Sequence, residues 1–179
     1  MRAIAMGCLI LIMATGISQP ALANVEFTGN LLDRPCQVDP ALSSQNVWFL
    51  DTAVPLYHVT PGRSSQKPFV IRLINCHATT YGKTVKLILD GQKESALPGY
   101  LAVSGINKGR LGIGILDTDG STLLKLGDVH NLGDGNKVVG NTVILNLKAY
   151  VQASPQAIMQ RSVQSGAFSA MAIFTLNYQ

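Results

Sequence analysis

Apolar residues along the chain fall in short runs separated by turn-forming residues. The runs cover residues 47–50, 69–74, 85–89, 111–116, 143–151 and 168–178. Each has the length of a strand, and no long amphipathic helix pattern competes, so the spacing predicts an all-β sandwich. The punctuation agrees. Pro61-Gly62, Asp90-Gly91, Pro98-Gly99, Asp119-Gly120 and Asp134-Gly135 supply residues that tolerate tight-turn dihedrals. The best helical candidate is residues 156–161, just after Pro155, enough for one or two turns.

The last run alternates. Phe168, Ala170, Ala172, Phe174, Leu176 and Tyr178 share one face, with Ser169, Thr175 and Asn177 on the other. Period two marks a strand with one buried face. Met171 and Ile173 on the second face predict that its middle is covered on both sides. In the 69–74 run, Phe69, Ile71 and Leu73 share a parity that Cys76 does not. That requires either a bulge near Asn75 or burial on both faces. An arm before Cys36 also alternates, with Val25, Phe27, Gly29 and Leu31 opposite Glu26, Thr28 and Asn30. Pattern alone reads it as the first strand of the same sandwich.

The first 23 residues have a different logic. One charge, Arg2, precedes an apolar run over 4–14, then Ser18, Gln19 and Pro20, then Ala21-Leu22-Ala23. This order of charge, apolar core and small-residue site predicts a cleavable signal peptide. The run falls short of the roughly 20 consecutive apolar residues of a membrane span, so no membrane anchor is expected. Export leaves Cys36 and Cys76 as the only cysteines, and an oxidising compartment makes a disulfide the default for an isolated pair. The remaining 156 of 179 residues suit one domain.

Charge and chemistry exclude more than they suggest. The net charge is +4, and the Lys and Arg residues after the signal are scattered from Arg34 to Arg161. Without a basic run or aromatic interleaving, no nucleic-acid partner is expected. His58, His77 and His130 have no partner at metal-site spacing except the adjacent Cys76-His77, whose side chains would point to opposite faces of a strand. No metal or cofactor is expected. No nucleophile elbow is present, and Gly112-Ile-Gly114 lacks the rest of a dinucleotide fingerprint. Asp117-Thr-Asp-Gly-Ser121 faintly resembles a calcium loop, but Thr122 stands where that loop needs glycine, so a hairpin turn is expected. No catalytic residue emerges, and the chain is not expected to be an enzyme.

Several of these features together resemble one family. A signal peptide, an alternating arm with a central glycine, a cysteine pair 40 positions apart, Gly166 and the penultimate Tyr178 are similar to those of chaperone–usher pilus (fimbrial) subunits. The stretches Asn30-Leu-Leu-Asp-Arg-Pro-Cys36, Phe69-Val-Ile-Arg-Leu-Ile-Asn-Cys-His-Ala-Thr79 and Gly109-Arg-Leu-Gly-Ile-Gly-Ile-Leu-Asp-Thr-Asp-Gly120 resemble most closely the P-pilus tip adaptor type.

The resemblance implies an incomplete immunoglobulin-like sandwich lacking its last strand, with an N-terminal donor-strand extension. It implies residues 1–23 as signal peptide, 24–35 as extension and 36–179 as pilin domain. Donor-strand exchange would seat Val25, Phe27 and Leu31 in a neighbour's groove, with Gly29 allowing close backbone approach. Gly166, Phe168, Ala170, Ala172, Phe174, Leu176 and Tyr178 would wall this subunit's own groove and bind the chaperone. The implied partners are a periplasmic pilus chaperone, an outer-membrane usher and neighbouring subunits on both sides. The implied destination is an extracellular pilus, near its tip. A major or other minor pilin of the same pathway, or a glycan-binding adhesin module, is the alternative.

Overall fold

The computed structural model describes residues 35–179. The expected signal peptide and the arm up to Arg34 lie outside them. Eight strands and one short helix follow in order: β1 (Gln37–Val38), β2 (Lys67–Ile74), β3 (Thr84–Gly91), β4 (Leu101–Ala102), β5 (Leu111–Leu116), β6 (Asn136–Lys137), β7 (Val143–Ala153), α1 (Pro155–Gln160) and β8 (Ala172–Tyr178). One sheet has the order β1-β2-β7-β5-β4, the other β6-β3-β8, and all pairings are antiparallel.

Alternation explains the central strands. Ile71 and Leu73 of β2, Leu145, Leu147 and Val151 of β7, and Val85, Leu87 and Leu89 of β3 are buried and share one core between the two sheets. Each such side chain contributes about 1.5 to 3 kcal/mol on burial. A one-residue slip would turn this set outward, so the core itself holds the register. The parity break after β2 falls at Asn75, whose φ of +52° ends the strand and turns Cys76 into the core. Cys76 and Cys36 are bonded there, as their count in the sequence led one to expect.

β5 is buried along its whole length. Gly112 and Gly114 make this possible. A Cβ on Gly114 would lie 2.6 Å from ring atoms of both Tyr100 and Tyr150, so glycine lets the two phenols cross the strand. They meet edge to face, their hydroxyls 2.7 Å apart. The Arg63 guanidinium covers the Tyr150 ring at 4.4 Å. The suspected calcium-like loop is a turn closed by the Leu116–Leu123 bridge, with Asp119 accepting from the Ser121 and Thr122 amides.

Three expectations need correction. Residues 47–50 form no strand. β1 pairs with β2 only at Gln37 and Val38, because Pro40, lacking an N–H, opens a 3-10 turn (Pro40–Leu42) that breaks the ladder. Asp90-Gly91 is no turn but the end of β3, paired with Ile173 and Ala172. Glycine is needed there because Leu101 and the Met171 carbonyl approach within 2.7 Å of where a Cβ would stand. The final strand starts at Ala172 instead of Phe168, and its outer face is bare: Met171 is 78% and Ile173 65% exposed. No layer packs over them among the described residues.

Candidate functional site

Strand β8 is the last strand of its sheet and has one neighbour, β3. Thr84 and Gln179 exchange both backbone hydrogen bonds, at 2.7 and 2.9 Å. From that pair the antiparallel alternation runs back along the register Lys86–Asn177, Ile88–Thr175 and Asp90–Ile173, whose residues turn their N–H and C=O toward each other. The backbone groups of Ala172, Phe174, Leu176 and Tyr178 therefore face away from β3. They form an open ladder on an edge that no described strand covers.

The same residues carry the side chains. Phe174, Leu176 and Tyr178 point into the sandwich but are only half-buried, whereas Val85, Leu87 and Leu89 beside them on β3 are at most 3% exposed. The opposite side of the core, made by β1, β2 and the segment 47–49, shows the same incompleteness. Val38, Val47, Phe49 and Phe69 also pack on the core half-buried, and Phe49 reaches Phe168 with ring centroids 6.1 Å apart. A half-covered row of large apolar side chains beneath an unpaired backbone edge fits an added strand: the ladder supplies affinity, and the spaces above alternate side chains supply selectivity.

One polar group in the site has no partner. The Tyr178 hydroxyl is the only buried side-chain polar atom among the described residues without a hydrogen bond. Burial pushes the Tyr178 phenol above its ordinary value of 10.0. An orphaned buried hydroxyl costs about 1 to 3 kcal/mol.

Other sequence-derived residues fall around this edge. Ala172 begins β8 opposite Gly91, while Ala170 is exposed in the irregular stretch before it. Gly166 passes close to Ile106, whose Cγ2 would stand 2.8 Å from a Cβ there. Val25, Phe27, Gly29 and Leu31 lie outside the described residues. Among those described, no group of three or more His, Cys, Asp or Glu is placed to hold a metal, and no helix is long and apolar enough to cross a membrane.

Two supports of the site escaped the sequence reading. His130 is fully buried behind β3, where its Nδ1 accepts from the Leu87 amide at 2.8 Å while its own amide donates to the Leu87 carbonyl at 3.0 Å. An amide can only donate, so the ring proton sits on Nε2 and reaches the Asn136 Oδ1 at 2.9 Å. His130 thus completes the side of β3 that faces away from β8. The second support is Asn107, 1% exposed, whose side chain grips the backbone of Gln164 ahead of β8. Lone polar residues in loops carry no periodic signal that could have marked either one.

Comparison with known proteins agrees with this geometry. Residues 25–179 match the fimbrial protein family. The chain is 49% identical over 97% of both sequences to the fimbrial adapter PapK of Escherichia coli. It is 34% identical to the major MR/P fimbria protein of Proteus mirabilis, over 87% of this chain and 83% of that one. Among solved structures it is similar to the P pilus rod subunit PapA, with a TM-score of 0.68 and 26% identity, over 81% of this chain and 99% of that one.

Proposed function

The chain belongs to the fimbrial protein family, and we propose that within it the protein is a minor structural subunit, an adaptor near the pilus tip. In this reading it assembles by donor-strand exchange: its groove accepts one neighbour's arm, and its own arm enters the other neighbour. The observation that carries the reading is the open β8 edge, where four residues present unpaired backbone above three half-buried apolar side chains. The similarity to an adapter subunit, higher than that to the major fimbria protein, favours the adaptor role over a rod role.

The remaining assignments follow from that function. Residues 1–23 direct export, 24–35 form the donor extension and 36–179 the pilin domain. Such an edge invites wrong pairing, so a periplasmic chaperone covers it with a strand until the outer-membrane usher exchanges that strand for a neighbour's arm. Val25, Phe27 and Leu31 would contribute roughly 4 to 9 kcal/mol on burial in the neighbour, before ordering costs. The Tyr178 hydroxyl would find its missing partner on the inserted strand. No step of this function is catalytic.

A substitution in the arm tests the reading. In Gly29→Val the added side chain blocks close approach of the backbones, so incorporation of this subunit and of everything assembled after it should fall sharply. Unchanged incorporation and pilus length in electron micrographs would refute the donor role. Immunogold labelling along the shaft, instead of at the tip, would refute the adaptor position.

A further inference from the structure

Ahead of β8 the chain has no strand partner over residues 163–171, yet it is held in place. The holder is the loop between β4 and β5. Asn107 treats Gln164 as a neighbouring strand would: its Nδ2 donates to the Gln164 carbonyl at 2.7 Å, and its Oδ1 accepts from the Gln164 amide at 2.8 Å. Asn107 is itself fixed, because its carbonyl accepts from the Arg110 and Leu111 amides at the start of β5. Gly105 has a φ of +89° and lies so close that a Cβ would stand 2.4 Å from the Ala167 carbonyl oxygen. Next, the Ser104 amide donates to the Ser169 carbonyl at 2.8 Å, and the two hydroxyls are 2.7 Å apart.

The phase of these ties matters. Ser169 turns its carbonyl toward loop 103–107 just as Ile173, Thr175 and Asn177 turn theirs toward β3. Carried back by the same alternation from Ser169, Phe168 and Ala170 would continue the row made by Ala172, Phe174, Leu176 and Tyr178. At Gln164 the row ends, since both backbone groups there are taken by Asn107. Phe168 brings the next half-buried apolar side chain into line beneath this extension.

We propose that loop 103–107 replaces β3 as the inner neighbour of the acceptor edge, extending that edge back to Phe168, and that Asn107 is the positioning residue that fixes the extension and sets its limit. The inference rests on the strand-acceptor reading above. It adds that an incoming strand is read over two segments with separate supports. One is laddered to β3. The other is held by side chains.

Peptides of graded length separate the two segments. The probe is a nine-residue peptide with the sequence of residues 24–32, together with two forms shortened by three residues from either end. Binding to the full mature chain is measured by fluorescence anisotropy. Asn107→Ala should weaken the nine-residue peptide and one shortened form by about tenfold. It should leave the other shortened form, which spans only the β3-supported segment, within twofold. Equal losses for all three peptides, or none for any, would overturn the proposal. Amide exchange at Ile173, Thr175 and Asn177 verifies that the ladder persists, and Ser104→Ala, a milder cut in the same support, must show the same length dependence if Asn107→Ala does not fold. Failure of every peptide to bind the unmodified chain would overturn this inference but not the strand-acceptor reading, whose donor is a neighbour's arm and which the pilus assays above decide.

Discussion

Replacing Tyr178 by Phe removes one oxygen from the floor of the open groove, and the structure predicts that the free subunit gains stability from it. The hydroxyl is buried and bonds to nothing, so folding strips it of water without compensation. That desolvation costs about 1 to 3 kcal/mol, and the ring that packs on the core is unchanged in Phe. A net gain of about 1 to 2 kcal/mol is expected, or roughly 3 to 6 °C in midpoint for a chain of this size. The assay is thermal unfolding of the mature protein followed by circular dichroism, with the groove empty. The pH dependence gives a second reading of the same group. Burial raises the folded-state value of Tyr178, so the protonated phenol favours folding. Its contribution is whole below the unfolded value of about 10 and is lost as pH rises through the folded value. The Phe variant lacks this titration, so its advantage should widen above pH 10. Tyr57 and Tyr150, also raised mainly by burial, titrate in both proteins and cancel in the comparison. A variant less stable than the parent by 1 kcal/mol or more at neutral pH would refute the reasoning, because it would mean that the hydroxyl has a partner in the free subunit.

Two further substitutions probe the supports around the groove. His130→Ala leaves the Leu87 amide and Asn136 without their partner and opens a cavity behind β3, which should cost about 3 to 5 kcal/mol in urea unfolding; a loss under 1 kcal/mol would show that His130 does not brace the strand. Cys36→Ser opens a loop spanning 40 positions and should cost about 4 kcal/mol by the chain-entropy relation. Equal denaturation midpoints for variant and parent under oxidising conditions would count against that.

The central strands were legible because each buries at least one face, and β5 buries both. Period two in residues 69–74, 85–89, 111–116 and 143–151 reports that burial directly, and β2, β3, β5 and β7 contain these runs. The same signal misled at the C-terminal end of the chain. Residues 168–171 alternate as cleanly as 172–178, but their inner neighbour is a loop, and periodicity reports side-chain faces without naming what the backbone pairs with. Met171 and Ile173 look like core residues by composition and stand in the open, because no third layer covers the outer face of β8. Periodicity did not mark the groove either, and only the family resemblance pointed to residues 166–178 as its wall. Every residue carries an N–H and a C=O, so an unpaired strand edge has no composition of its own. What distinguishes Phe174, Leu176 and Tyr178 from Val85, Leu87 and Leu89 is how completely they are covered, and that depends on a strand the described chain does not supply. Among the described residues the C-terminal run therefore carries half of a core, and in the proposed donor-strand reading its other half comes from a neighbouring subunit's arm.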